Sequence, residues 1–137
     1  MGSYLNPGSK GFRESLNSEI YVDKTGLLEK TNEVLDTRQK FLCVSRPRRF
    51  GKSMAADMLA AYYDCGEHTA ALFDSLKISK AASYQKHRNQ YDVIKVNIQE
   101  FLSMTHSMTD MLAMLQKYLV FDLMEHFENV RFRDENN

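Results

Sequence analysis

Residues 40–62, KFLCVSRPRRFGKSMAADMLAAY, contain the pattern on which the predicted fold depends. The apolar run at 41–44 is typical of a short strand buried on both faces of a sheet. A basic loop follows, and Gly51 then opens a segment with apolar residues at helical spacing. A second apolar run at 93–98 predicts another strand, and residues 108–129 predict a long helix. This order predicts an α/β fold, namely a partial P-loop NTPase-like βαβ core with few strands and several helices.

Three regions are expected along the chain. Residues 1–19 are polar and contain turn-forming residues, which predicts an N-terminal arm. Residues 20–130 are predicted to form the partial P-loop NTPase-like domain, and residues 131–137 a charged, frayed tail. Within the domain, Asp23 is predicted to cap a helix at about 27–35.

The Gly51-Lys52-Ser53 tripeptide lies where a phosphate site is expected. The first backbone N–H groups of a helix have no intrahelical partner, and the helix dipole places partial positive charge there. Gly51 lets the backbone approach phosphate oxygens, Lys52 supplies a mobile cation, and Ser53 is the candidate Mg²⁺ ligand. These residues predict nucleotide or phosphate binding. The alternative is a basic surface turn whose lysine has no such role.

The loop before Gly51 departs from the common P-loop, because Arg46 stands where glycine is usual. Pro47 biases Arg46 towards an extended conformation, so the entry to the loop must differ. Arg46, Arg48 and Arg49 could contact polyphosphate or nucleic acid, or they could be solvated loop charges. Four cations within residues 46–52 favour an anionic partner.

The overall charge gives no support for a wider basic surface. Eighteen basic residues balance eighteen acidic ones, so a nucleic-acid role would depend on the basic loop alone. No uncharged apolar run approaches the ~20 residues needed to span a bilayer, so no membrane partner is expected. The two cysteines suit reduced thiols in a cytoplasmic location. The four histidines lack metal-ligand spacing and are predicted to lie on the surface.

Residues 45–53, SRPRRFGKS, resemble the signature of the predicted AAA-ATPase-like family, whose P-loop domain is often fused to a PD-(D/E)XK nuclease-like domain. Residues 21–25, YVDKT, are similar to that family's opening block. The resemblance covers about residues 11–98 and the N-terminal part of the family only. It implies ATP and Mg²⁺ as ligands, and it implies that arginine at position 46 is normal for the family.

Hydrolysis requires an acidic residue after a hydrophobic strand and usually an arginine. In the family that strand lies further along than this chain reaches, so we expect a truncated domain that binds ATP without full hydrolytic machinery, and we assign no catalytic residue. Residues 118–122, YLVFD, superficially match the acidic strand. The four-residue spacing of Leu115, Leu119 and Leu123 instead favours a helix with Asp122 on its surface.

Two strands with open edges would be unstable alone, which predicts a homo-oligomer or a protein partner that covers them. The alternative function is a stand-alone interaction or inhibitor protein that does not depend on nucleotide. Such a short protein could come from a phage or mobile element and act on a defence system.

Overall fold

The computed structural model describes residues 4–45 and 51–127. Within these two ranges the chain forms seven α-helices and one short 3₁₀ helix, η1, between α4 and α5. The elements are α1 (Lys10–Leu16), α2 (Gly26–Val34), α3 (Lys52–Tyr63), α4 (Ala70–Phe73), η1 (Lys77–Lys80), α5 (Tyr84–His87), α6 (Ile98–Met104) and α7 (Met108–His126).

The described residues fall into two compact units. The larger unit is Gly8–Val93, and the smaller one combines the N-terminal residues up to Pro7 with the chain from Ile94 onward. Each unit buries its own set of side chains and is described separately below.

The core of the larger unit is built around the C-terminal half of α3. Tyr62 is fully buried there, and its ring meets that of Phe73 edge-on at 5.5 Å between centroids. Phe12 of α1 stacks on Phe73 at 4.8 Å and is also buried. Residues 1–19, predicted as an arm, therefore contain a helix that packs against α3. Aromatic contacts of this kind add to the stabilisation from area burial.

Hydrogen bonds between buried side chains join α2 to α3. The Tyr63 hydroxyl donates to Asn32 Oδ1 at 2.6 Å, and Asn32 Nδ2 donates to the Tyr62 hydroxyl at 3.0 Å. Tyr62 in turn donates to the carbonyl of Tyr84 at 2.7 Å. Burial raises the pKa of Tyr63 to about 12, so its hydroxyl stays a neutral donor at physiological pH. Because buried polar groups are costly when unpaired, this network fixes α2 against α3.

A second set of hydrogen bonds, here called the Asp23–Thr25 clamp, ties the segment before α2 to η1. Asp23 accepts from the N–H of Thr25 at 2.9 Å and from the N–H of Lys77 at 2.8 Å. The Thr25 hydroxyl donates to Asp23 and accepts from the N–H of Ile78. Burial alone would raise the pKa of Asp23, but these hydrogen bonds and the Lys77 charge hold it below its usual value. Asp23 therefore joins η1 to the chain ahead of α2, where Thr25 takes the N-cap position that we predicted for Asp23.

The smaller unit is held together by α6, α7 and the N-terminal segment. Phe101 of α6 is fully buried and lies 5.7 Å from the ring of Tyr4. Asp122 of α7 accepts hydrogen bonds from the N–H groups of Tyr4 at 3.0 Å and Leu5 at 2.7 Å. The prediction of a helix here is confirmed, but the prediction that Asp122 lies on its surface is wrong, since Asp122 is only 5 % exposed.

The predicted α/β fold with a partial P-loop NTPase-like βαβ core is wrong: the described residues are mostly helical and contain no strand or sheet. Phe41 is 86 % exposed, and Leu42 and Val44 are exposed as well. The second predicted strand makes one isolated antiparallel bridge, between Leu5 and Ile94, before α6 begins. The physical reason is that a strand forms only where a neighbouring backbone supplies its hydrogen-bond partners. An apolar run indicates burial, but it does not provide that neighbour.

We expect Asp122→Ala to lower the free energy of unfolding by about 2 kcal/mol, because two backbone N–H groups lose a charged acceptor. Urea denaturation followed by circular dichroism measures this change. Glu125→Ala removes an exposed carboxylate from the same helix and should change stability by less than about 0.5 kcal/mol. Equal effects of the two substitutions would show that the buried carboxylate has no special role.

Candidate phosphate-binding site

The start of α3 is set by the backbone conformation of Gly51. Gly51 is the N-cap residue, with φ 83° and ψ 25°, in the left-handed region. Its carbonyl accepts from the N–H of Ala55 at 2.9 Å, which closes the first helical turn. Residues with a Cβ atom adopt this conformation at a cost, so glycine suits the position. The prediction that Gly51 opens a helix is confirmed.

The predicted binding residues fall partly inside the described chain. Lys52 and Ser53 are the first two residues of α3, and both are exposed. Arg46, Arg48 and Arg49 lie outside the described residues. The described part of the site thus combines Gly51, which has no Cβ atom, with the ammonium group of Lys52 and the hydroxyl group of Ser53 at one helix N-terminus. This donor set fits a phosphate group, and a hydroxyl oxygen is a ligand that Mg²⁺ accepts.

A cleft of about 430 Å³ lies beside the first turn of α3. Three lysines contribute to its wall, and no carboxylate is among its described lining residues. Lys30 also forms an exposed ion pair with Glu33, with 3.9 Å between Lys30 Nζ and Glu33 Oε2, which contributes little because water screens it. The cleft is therefore suited to an anion. Its lining residues are Lys24, Gly26, Leu27, Lys30, Val44, Gly51, Lys52 and Ala55.

A second pocket, of about 250 Å³ and mostly apolar, adjoins the cleft. Phe12, Tyr21, Met54 and Met58 contribute to its lining. The pocket and the cleft have three lining residues in common, which are Lys24, Gly51 and Ala55. A ligand with a charged part and a flat apolar part could therefore occupy both.

Sequence reasoning missed Lys24 as a residue of this site. Lys24 Nζ lies 2.9 Å from the position that a Cβ atom on residue 51 would occupy. Nothing in the spacing between positions 24 and 51 indicates this proximity. The available signal was the pair of polar residues around it, Asp23 and Thr25, directly before a predicted helix, because such residues often fix a backbone turn.

The remaining candidate groups are the histidines and the cysteines. His87 is buried, with 2.7 Å between its Nδ1 atom and the Tyr91 hydroxyl oxygen, so its predicted surface position is wrong. Across 4–45 and 51–127, no three His, Cys, Asp or Glu side chains are arranged to hold a metal ion. No helix in those ranges is long and apolar enough to cross a membrane. The other three histidines, His68, His106 and His126, are exposed. Cys43 and Cys65 are exposed and form no disulfide.

Comparison with known proteins gave one match. No curated protein and no solved structure is significantly similar to the chain. A family model described as a predicted AAA-ATPase matches residues 8–136. The match confirms the resemblance inferred from the loop signature and extends it beyond residue 98. Because the match covers most of the length of the chain, the chain belongs to the predicted AAA-ATPase family.

Proposed function

We propose that the chain binds a nucleoside triphosphate, ATP with Mg²⁺, at the N-terminus of α3. The observation that carries the proposal is the left-handed Gly51 at the start of a 12-residue helix, beside a cleft lined by three lysines. A helix start of this kind favours an anion through its N–H groups and its dipole. Family membership supports ATP as the anion.

Each residue of the tripeptide has a role in this proposal. The first N–H groups of α3 would bind phosphate oxygens, Lys52 would bind the β- and γ-phosphates, and Ser53 would be a ligand of Mg²⁺. Bound Mg²⁺ would supply charge neutralisation of the phosphates. Arg46, Arg48 and Arg49 are proposed as further phosphate contacts from the adjoining loop.

The apolar pocket supports a nucleotide in preference to inorganic phosphate. A phosphate ion would use the cleft alone, whereas a nucleotide could also bury its base against apolar side chains. Tyr21 and Met54 line the pocket, and both offer surfaces that suit a flat ring. We therefore place the base in this pocket and the phosphates in the cleft.

We propose binding with little or no hydrolysis by the residues described. Phosphoryl transfer needs a carboxylate to position water or metal and usually an arginine near the transferred group. The segment that superficially matches the acidic strand motif ends at Asp122. That carboxylate lies in a helix and already accepts two backbone N–H groups, so it is not assigned to catalysis.

For the wild-type chain we expect ATP with Mg²⁺ to raise the melting temperature, because a ligand that binds only the folded state stabilises it. Lys52→Ala should weaken ATP affinity by about tenfold or more, since a charged contact to phosphate is lost. Isothermal titration calorimetry measures both proteins. Lys117→Ala, which removes an exposed lysine from α7, is the control and should bind ATP as the wild type does. Absence of wild-type binding would refute the proposal.

Gly51→Ala tests the backbone geometry of the cradle. Alanine at φ 83° should cost about 1–2 kcal/mol of folding free energy. Its Cβ atom would also displace the Lys24 ammonium, so ATP affinity should fall. Thermal unfolding and calorimetry separate the two effects. Gly26→Ala is the control for folding stability alone, because a Cβ atom there would meet no atom within 4 Å outside its sequence neighbours and its own helix backbone. Unchanged ATP affinity in Gly51→Ala would count against close approach of the phosphates to this backbone.

A second proposed function is that of an interaction protein. Exposed apolar side chains in the segment before the basic loop favour this function. They are Phe41, Leu42 and Val44, which lie within four consecutive residues. Such a run is costly to leave in water and typical of surfaces that another chain covers. We propose that a second copy or a protein partner covers this segment, and that this association does not require nucleotide.

Size-exclusion chromatography with light scattering tests the association. We expect the wild type to elute as a species larger than one chain, and Phe41→Ser with Leu42→Ser to shift it towards the monomer. Ser79→Ala, a change outside the segment, should leave the oligomeric state unchanged. A stable wild-type monomer at high concentration would rule out self-association through this segment.

A further inference from the structure

We propose that Lys24 is a second polyphosphate-binding residue, which the Asp23–Thr25 clamp positions at the start of α3. This inference rests on the proposed function and adds a residue from outside the loop signature. Lys24 precedes α2, whereas Lys52 belongs to α3. Two cations from separate elements would therefore bind one anion.

The location of the Lys24 ammonium carries the first step. Lys24 Nζ occupies space 2.9 Å from where a side chain on residue 51 would begin. It lines both the cleft and the apolar pocket, as Gly51 does. A nucleotide extending from one to the other would pass this ammonium group. Its charge favours contact with phosphate oxygens over contact with an uncharged base.

The clamp explains how Lys24 is held there. Its two neighbours in sequence are both fixed to the start of η1, Asp23 through the N–H of Lys77 and Thr25 through the N–H of Ile78. Thr25 is fully buried, whereas Lys24 between them is exposed. The backbone of Lys24 is therefore fixed, and its side chain is exposed and lines the cleft. Fixing the backbone before binding lowers the entropic cost of the contact.

The arrangement favours an extended polyphosphate over a single phosphate group. One phosphate at the helix start would be bound by backbone N–H groups and Lys52. Lys24 and Lys30 add two more ammonium groups to the lining of the same cleft. A chain of phosphates carries the additional negative charge that these ammonium groups can bind.

The test compares Lys24→Met with Lys80→Met, which removes an exposed lysine from η1. Calorimetry with ATP and with inorganic tripolyphosphate, each with Mg²⁺, supplies two probes that share only the phosphates. Lys24→Met should weaken both by about tenfold. Lys80→Met should bind both as the wild type does. Thermal unfolding verifies that both variants are folded.

A double-mutant cycle tests the clamp. Asp23→Asn removes the charged acceptor that fixes the segment, and it should weaken ATP binding in the wild-type background. In the Lys24→Met background the same substitution should have little further effect, because there is no ammonium left to position. Equal losses in the two backgrounds would show that Asp23 does not act through Lys24.

The outcomes separate this inference from the proposed function. If Lys52→Ala loses affinity and Lys24→Met does not, Lys24 is not a phosphate contact, while nucleotide binding stands. If Lys24→Met weakens ATP but not tripolyphosphate, Lys24 contacts the nucleoside and the inference is wrong. If the wild type binds neither probe, the proposed function fails and this inference with it.

Discussion

Helix α3 has one end buried and the other exposed. The buried end forms the core of the larger unit, and the exposed end forms its candidate phosphate site. Tyr62 near its C-terminus is fully buried among aromatic rings, while Lys52 at its first turn is exposed. The buried end fixes the direction of the helix, and the left-handed Gly51 fixes where the helix begins. The same helix that stabilises the core therefore presents its N–H groups and dipole at a defined place.

Two sets of hydrogen bonds hold the other elements that line the cleft in position. The Asn32, Tyr62 and Tyr63 network joins α2 to α3, so α2 cannot move without leaving buried polar groups unpaired. The Asp23–Thr25 clamp then ties the segment before α2 to η1. Positive charge at the cleft is thus borne by lysines on elements that the folded core holds in place.

The helical parts of the fold were predictable because helix spacing is a local property. Gly51 and the apolar positions after it predicted α3, and the four-residue spacing of Leu115 and Leu119 predicted α7. The strands were predicted wrongly, since the apolar run at Phe41 indicates burial only if another segment lies beside it. Local pattern also could not show that Asp122 faces the backbone of the N-terminal segment. Lys24 escaped notice for the same reason, because its place at the site depends on tertiary contacts.

Amide NMR during titration with ATP and Mg²⁺ tests phosphate binding at the start of α3 most directly. We expect the largest chemical-shift changes at the backbone amides of Gly51, Lys52 and Ser53, saturating together with one dissociation constant. Smaller changes should appear along the apolar pocket at Tyr21 and Met54. Shifts scattered over surface lysines without saturation, or unchanged amides at 51–53, would contradict phosphate binding at this helix.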